Sequence, residues 1–352
     1  MPAAAPRNFE SRTLYHGDNL PFLRGMNSGT VDLIATDPPF NKSKDFHATP
    51  DSLAQGARFE DRWSWDKDVH AEWVDAIQDD WPAAWFAIDN ARLVAGDDMG
   101  AFLCWLGVRL MEMHRVLADH GSIYLHIDHT AHAYVKTLMD AIFGRKNFQN
   151  EMVWYYSGGG ASRSRWARKH DTLLFYTKST KWTFNVDDVR TPHKWVDGQL
   201  RADGTERDPK GKLPDDVIEL HGVMPWSKER SGYPTQKPLA LYERIIKASS
   251  NPGDMVLDPF AGCATTPVAA ERLGREWVGM DIWDGAHKMV LDRLRDEKLA
   301  VPDADSDARI RASSPLAALS TPPRRRCART RARPPRRPLP SRCRYLSRPA
   351  RR

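Results

Sequence analysis

The sequence has few cysteines and no long apolar run. Its 352 residues include 4 cysteines, whose spacing matches neither a metal site nor a disulfide framework. No uncharged apolar stretch is long enough to cross a membrane, and residues 1–10 lack the apolar core of a secretory signal. These absences favour a protein of the cytoplasm, and the length suffices for one large or two small domains with a sizeable core.

The last part of the chain has no lysine and no glutamate. Residues 301–352 contain 15 Arg and 3 Asp, a net charge of +12, so the first 300 residues carry −6 and the whole chain +6. The positive net charge is therefore a property of this segment and is not evidence that the rest binds nucleic acid. Because the segment is rich in Arg and Pro and has few apolar residues, we expect a disordered tail.

A predicted buried strand at residues 31–35 leads into Thr36, Asp37, Pro38, Pro39 and Phe40. The Asp37 carboxylate and the Pro38 carbonyl can accept both hydrogens of an exocyclic amino group, and proline keeps the backbone rigid. Phe40 offers a flat face on which a base can stack. The pattern suits methylation of an amine on a planar base. The structural alternative is a strand followed by a Pro-Pro turn with an acidic cap.

A strand–helix–strand unit is predicted at residues 255–281. A loop containing Gly262 follows its first strand, and Asp281 ends its second strand. This arrangement holds a nucleoside, with the acid accepting hydrogen bonds from ribose hydroxyls. The sequence has no Gly-x-Gly-x-x-Gly, so a pyrophosphate cradle is poorly supported. S-adenosylmethionine therefore fits better than NAD.

Two basic segments flank these motifs. Lys42 and Lys44 follow the Pro-Pro turn. The glycine-rich segment 157–170 has no acidic residue and four cationic ones: Arg163, Arg165, Arg168 and Lys169. When such clusters bind the phosphates of a nucleic acid, the release of counterions makes binding favourable. We therefore interpret them as DNA contacts. A solvated surface loop is the alternative.

Two polar stretches interrupt the regular pattern. Residues 45–98 are rich in tryptophan and show no clean strand, so a loop-and-helix insertion is predicted, with the tryptophans packing in the core or an interface. Residues 179–231 are turn-rich and weakly periodic, which is typical of a target-recognition insertion and equally of a long surface excursion. The histidines near residue 129 match no standard metal spacing, and no metal site is predicted.

Together these motifs resemble the amino-group DNA methyltransferases, the adenine-N6/cytosine-N4 family, over residues 12–299. The motif order is that of the beta class, in which the catalytic tetrad precedes the cofactor loop. The resemblance implies a catalytic domain at 10–300 with an α/β S-adenosylmethionine-dependent methyltransferase fold. It implies a mostly parallel seven-stranded sheet with helices on both faces, a circularly permuted motif order, and adjacent strands ending at Asp37 and Asp258.

The resemblance also implies roles for particular residues. Asp37, Pro38, Pro39 and Phe40 match the catalytic tetrad. The residues that match cofactor-binding segments are Asp258, Phe260 and Gly262 in the methionine-side loop, Asp281 at the ribose, Asp18 near the adenine, and Thr235 and Lys237 over the methionine carboxylate.

One position departs from the family's usual Asp-Pro-Phe-x-Gly-x-Gly-Thr loop, because Ala264 stands at the second glycine. If this position requires a positive φ, alanine costs stability or cofactor affinity. We expect function to survive, since alanine is small enough for a close approach.

The resemblance implies transfer of a methyl group from S-adenosylmethionine to adenine N6 in double-stranded DNA, by base flipping and direct transfer. Cytosine-N4 methylation is the near alternative, although that tetrad more often begins with Ser. Cytosine carbon-5 methylation is disfavoured, because no Pro-Cys occurs. A catalytically silent DNA-binding homologue is the alternative from another class. A cognate restriction endonuclease is an optional partner, and the expected state is a monomer or homodimer.

Overall fold

A computed structural model describes residues 6–156, 161–193, 204–205 and 208–299. The predicted tail, the glycines of segment 157–170 and part of segment 179–231 lie outside the described residues. The strands are β1 (Thr13–His16), β2 (Val31–Thr36), β3 (Lys44–His47), β4 (Arg58–Asp61), β5 (Leu117–Ile127), β6 (Phe148–Tyr155), β7 (His170–Thr177), β8 (Val217–Glu219), β9 (Met255–Asp258) and β10 (Glu276–Asp281). The α-helices are α1 (Asn19–Gly25), α2 (Trp65–Asp68), α3 (Ala71–Asp80), α4 (Pro82–Ala95), α5 (Asp97–Val116), α6 (His132–Met139), α7 (Leu239–Ser249), α8 (Thr265–Arg272) and α9 (Ala286–Asp296).

The main sheet has the strand order β1-β10-β9-β2-β5-β7-β6-β8. Within it β7 alone is antiparallel to its neighbours, which confirms the mostly parallel sheet. The described residues form eight strands in this sheet rather than seven. The additional strand is β8, three residues from the 179–231 insertion that pair with β6 and form the edge of the sheet.

The central strands β2 and β9 explain the position of the site. Both are apolar and almost completely buried, as expected for strands covered on both faces. They pair in parallel through Leu33 with Val256 and Ile34 with Leu257, as the resemblance implied. Their carboxyl ends therefore meet at one edge of the sheet.

Helices cover both faces of the sheet. One apolar core includes buried residues of α1, α3, α4, α5 and α6, and a second includes buried residues of α7, α8 and α9. Leu33, Ile34 and Ala35 of β2 alternate between the two cores, because neighbouring side chains of a strand point to opposite faces. No helix in the described part of the chain has the length and apolarity needed to cross a membrane.

The tryptophan-rich insertion contains a β-hairpin, so the prediction of no strand in residues 45–98 was wrong. β3 and β4 pair antiparallel, and the rings of Phe46 and Phe59 stack across them at 4.7 Å. Each strand is only four residues long with one apolar side chain, which leaves too little alternation to recognise. The helices α2 to α4 are present as expected. The tryptophans pack against the larger core, with Trp73 buried and Trp63, Trp65, Trp81 and Trp85 partly buried.

Candidate active site

A cavity of about 770 Å³ lies at the sheet edge where β2, β9 and β10 end. Ligands of open α/β sheets bind at this edge. The cavity is lined by all of the predicted catalytic and cofactor-binding residues, which are Asp18, Asp37, Pro38, Pro39, Phe40, Thr235, Lys237, Asp258, Phe260, Gly262 and Asp281. Residues from both ends of the described chain thus meet in one site.

Asp37 follows the last residue of β2. Its Oδ2 accepts a hydrogen bond of 2.7 Å from Lys237 Nζ, and the Lys237 side chain is almost completely buried. Its Oδ1 is buried and has no hydrogen-bond partner among the described residues. The carboxylate is therefore held by one oxygen and has an unused acceptor on the other. The family resemblance places Lys237 in the segment over the methionine carboxylate. It does not predict the contact with Asp37.

The Phe40 ring lies in an electropositive setting. The ammonium groups of Lys237 and Lys42 lie 5.1 Å and 5.3 Å from its centroid, which is cation–π range. The His126 imidazole stacks on the ring at 5.8 Å with an interplanar angle of 16°. His126 in turn contacts Asp171 Oδ2 through Nε2 at 3.2 Å. The ring is therefore fixed in position at the wall of the cavity.

Asp258 ends β9 and is buried. Its Oδ1 accepts hydrogen bonds from Thr36 Oγ1 at 2.6 Å and from the Phe260 N–H at 3.1 Å. Burial raises the pKa of Asp258 to about 6, although these hydrogen bonds act in the opposite direction. A buried carboxylate of this kind favours a positively charged ligand group beside it.

Asp281 ends β10 and organises the cofactor loop. Its Oδ2 accepts a hydrogen bond of 2.6 Å from the Gly262 N–H, and its Oδ1 accepts one of 2.8 Å from the Trp283 N–H. Burial raises the pKa of Asp281. The carboxylate keeps acceptor capacity that a ligand hydroxyl can use.

Both glycine positions of the family loop have left-handed backbone here. Gly262 has φ +50°, and a Cβ at this position would lie 3.2 Å from the Tyr233 ring. Ala264 has φ +66° and ψ 29° and directly precedes α8. The departure from the family pattern therefore falls on a residue whose conformation glycine adopts without cost.

Arg109 and Trp105 of α5 are site residues that the sequence did not reveal. Arg109 is buried, and its pKa is lowered to about 10, chiefly by burial. It donates hydrogen bonds of 2.7 Å to Asp18 Oδ1 and Asn19 Oδ1 and lies 4.0 Å from the Trp105 ring centroid. Trp105 also contacts Phe260, at 5.6 Å between centroids. The sequence feature that could have identified Arg109 is a charged residue among the apolar residues of a predicted helix.

The predicted DNA-binding residues lie outside the cavity lining. Arg163, Arg165 and Arg168 are exposed on the segment between β6 and β7, which leaves the sheet at the edge where β5 ends. Burial lowers the pKa of His129, and the charges of Arg168 and Lys42 lower it further. Both cations therefore lie near this imidazole. Lys44 is exposed on β3 and Lys169 is half-buried.

The histidines and acids near residue 129 have other partners. Asp128 is buried, accepts the Thr130 N–H and pairs with Lys42 Nζ at 2.9 Å. His132 Nε2 lies 3.1 Å from Glu151 Oε1. Among the residues that the structure describes, no group of three or more His, Cys, Asp or Glu side chains is arranged to hold a metal ion.

Comparison with known proteins agrees with this geometry. A family model described as DNA methylase, covering the N6 and N4 methyltransferases, matches residues 31–292. The chain belongs to this family. S-adenosylmethionine is the cofactor, and amino-group methylation of DNA is the activity at family level, as the sequence motifs predicted.

Individual relatives span most of this chain. Type II methyltransferase M.HpaI of Haemophilus parainfluenzae is 31% identical over 276 residues, 78% of this chain and 71% of the relative. DNA adenine methyltransferase YhdJ of Escherichia coli (strain K12) is 30% identical over 291 residues, 81% and 83% of the two chains. The PvuII DNA methyltransferase (cytosine-N4-specific) has a solved structure with a TM-score of 0.51 and 14% identity, covering 82% of this chain and 88% of that one. At this identity the likeness concerns the fold alone.

Proposed function

We propose that this methyltransferase is a site-specific enzyme that modifies N6 of adenine in double-stranded DNA. The observation that carries the proposal is the unused acceptor of Asp37. Its Oδ1 is buried without a partner among the described residues, although it lines a cavity with Pro38 and Phe40. A buried acceptor without a donor is costly, so the site is complete only when a ligand donor reaches it.

An exocyclic amino group supplies the missing donor. One amino hydrogen is donated to Asp37 Oδ1 and the other to the Pro38 carbonyl, which leaves the nitrogen lone pair directed away from both acceptors. Lys237 holds the other oxygen of Asp37 and fixes the carboxylate. Phe40 supports the base once it is flipped out of the duplex. The protein contributes positioning and electrostatics, and the amine becomes acidic only after methylation, so a strong general base is not required.

The cofactor end of the cavity suits S-adenosylmethionine, which supplies an electrophilic methyl group when bound. Asp258 offers a buried carboxylate for its positively charged amino group, and Asp281 offers acceptors for ribose hydroxyls. Phe260 and Gly262 lie in the loop that follows Asp258 and would form the wall beside the cofactor. Asp18 would hold the adenine end, and the segment of Thr235 and Lys237 would hold the methionine carboxylate, with Lys237 also bonded to Asp37.

Adenine is favoured over cytosine by the aspartate that begins the tetrad. The relative described as a DNA adenine methyltransferase, 30% identical along 83% of its length, supports the same choice. Lys42, Lys44, Arg163, Arg165, Arg168 and Lys169 are proposed to hold the DNA backbone beside the cavity.

Transfer of labelled methyl from S-adenosylmethionine to unmethylated genomic DNA, followed by nucleoside analysis, tests the proposal. We expect label in N6-methyladenine and at least about a 100-fold lower rate for Asp37→Ala, because misplacing the amine alone costs that much. Asp66→Ala is the matched control, since Asp66 is exposed on α2.

Each other outcome has a definite meaning. Label in N4-methylcytosine would overturn the base assignment and leave the mechanism intact. An Asp37→Ala enzyme with normal turnover would contradict the role of the tetrad. An absence of label together with an absence of cofactor binding in calorimetry would contradict the proposal and support the alternative of a silent DNA-binding homologue.

A further inference from the structure

Asp61, at the end of β4, is bonded to the segment that follows the catalytic tetrad. Pro38 and Pro39 have no N–H, so the first three backbone donors after Asp37 belong to residues 40–42. All three donate to Asp61. The Phe40 and Lys42 N–H groups lie 3.2 Å and 2.9 Å from its Oδ2, and the Asn41 N–H lies 2.8 Å from its Oδ1.

The same carboxylate also holds the next part of the insertion. The Trp63 indole N–H donates to Asp61 Oδ1 at 3.1 Å, and the Asp61 side chain is 1% exposed. Burying a carboxylate is costly unless its oxygens accept strong hydrogen bonds, and four N–H donors meet that need. This number of donors on one buried acid indicates a built contact rather than a chance surface interaction.

The segment that Asp61 holds is strained. Asn41 has φ +60° and Ser43 has φ +53°, conformations that residues with a Cβ rarely adopt. Such backbone persists only where surrounding contacts determine it, and it is concentrated at functional sites. The strained segment carries Phe40 at the cavity wall and Lys42 near the Phe40 ring. Without Asp61, no other contact of these three N–H groups offsets the strain in the described structure.

We propose that Asp61 is a positioning residue for methyl transfer: it fixes the backbone of residues 40–42 and thereby the face on which the target base stacks. The inference rests on the proposed role of Phe40. It also assigns a function to the β3–β4 hairpin, which lines the cavity and whose last residue accepts the backbone N–H groups after the tetrad. By this proposal the hairpin contributes a residue that positions the catalytic segment.

The test compares Asp61→Asn with Asp66→Asn. Asparagine keeps the size of the side chain but turns one acceptor oxygen into an NH₂ that opposes the backbone donors. We expect kcat at saturating DNA and cofactor to fall about 10- to 100-fold in Asp61→Asn. The cofactor Kd and binding stoichiometry from calorimetry should stay within about 3-fold of wild type, because the cofactor-contacting segments are not held by Asp61. Asp66→Asn should match wild type in all of these.

Amide hydrogen exchange provides a readout that does not depend on activity. The N–H groups of residues 40–42 should exchange slowly in wild type and at least about 10-fold faster in Asp61→Asn, while β9 stays protected. A merely structural role would lower the stoichiometry of cofactor binding and leave kcat per bound cofactor unchanged.

Two results would overturn the inference. One is an Asp61→Asn enzyme with kcat within 2-fold of wild type, and the other is unchanged exchange at residues 40–42. If wild type itself transfers no methyl group, the proposed function fails, and the exchange experiment still decides whether Asp61 holds this segment.

Discussion

Ala264 bears backbone strain at the start of α8. Its φ of +66° is in the left-handed region, where a Cβ costs about 1–2 kcal/mol relative to glycine. The residue is buried beside the cavity, and its N–H donates to the Ala261 carbonyl at 2.7 Å, which keeps the turn tight. The turn therefore forms in spite of alanine, and the strain stays in the native state.

We expect Ala264→Gly to stabilise the protein. Relief of the left-handed strain exceeds the larger unfolded-state entropy of glycine, for a net gain of about 0.5–1 kcal/mol in the free energy of unfolding. Cofactor affinity should be unchanged or higher. Chemical denaturation and calorimetric titration measure the two effects.

Ala261→Gly in the same loop is the matched control. Ala261 is absent from the positive-φ residues, so glycine there only loosens the chain and should lower the free energy of unfolding. If both variants destabilised the protein to the same extent, the strain at Ala264 would be refuted.

The raised pKa of Asp258, together with its proposed role at the cofactor, predicts that cofactor binding depends on pH. Burial raises its pKa to about 6 from 3.8, so the folded free protein holds this proton more tightly than the unfolded chain. The stability of the free protein therefore falls as the pH rises from about 4 to 6. A positively charged ligand group favours the ionised carboxylate. We accordingly expect cofactor affinity to rise with pH up to about 6 and then level off.

Calorimetry in two buffers with different ionisation enthalpies checks this prediction. At pH 6, binding should release a fraction of a proton, and at pH 8 almost none from this group. In Asp258→Asn the proton release at pH 6 should disappear along with most of the affinity. An affinity that stayed constant between pH 5 and pH 7.5 would contradict the assignment.

At the scale of elements, the segment between β6 and β7 carries exposed positive charge outside the cavity lining. Arg163, Arg165 and Arg168 are exposed there, at the edge of the sheet that also carries the tetrad. Because exposed cations near a phosphate backbone act through counterion release, their contribution should appear in the salt dependence of DNA binding.

Replacement of all three arginines by alanine should weaken DNA binding at least about ten-fold in 0.1 M salt. The slope of log affinity against log salt should fall by up to about 3, since each phosphate contact contributes about 0.9. Cofactor Kd should not change. Fluorescence anisotropy with a DNA duplex at several salt concentrations measures the slope.

Arg295→Ala on α9 is the control for that experiment, because Arg295 is exposed and distant in sequence from the proposed DNA contacts. An unchanged slope in the triple variant would remove this segment from the DNA interface.

The tryptophan-rich insertion shows how an element can belong to the core and to the site. Its helices α3 and α4 contribute Trp73, Ile77 and Ile88 to the larger apolar core. Its hairpin contributes Asp61 to the segment after the tetrad. Removing the insertion would therefore open the core as well as the active site.

On the scale of the whole molecule, charge and fold are separate properties. The first 300 residues carry a net charge of −6, yet three exposed arginines, Arg163, Arg165 and Arg168, lie on a segment at the edge of the sheet that also carries the tetrad. A local arrangement of this kind can attract DNA at one place while the rest of the surface stays acidic. The net charge of −6 over residues 1–300 would by itself have suggested the reverse.

The sequence by itself determined the chemistry of the cavity. Asp37, Asp258 and Asp281 each follow an apolar strand, and a strand end followed by a turn is a local pattern. Residue type and local turn predicted Asp37, Pro38, Phe40, the Gly262 loop and Asp281, and the family resemblance supplied the other candidates that line the cavity. The family resemblance supplied the adjacency of β2 and β9.

Only the tertiary structure decided which side chains hold the reactive groups. Lys237 meets Asp37 from a position 200 residues away, and Arg109 reaches Asp18 from 91 residues away. Asp61 meets residues 40–42 through a hairpin whose strands are too short to recognise. Contacts of this kind arise when separate elements pack together, and no local spacing encodes them, because a hydrogen bond between distant segments depends on the path of all the chain between them.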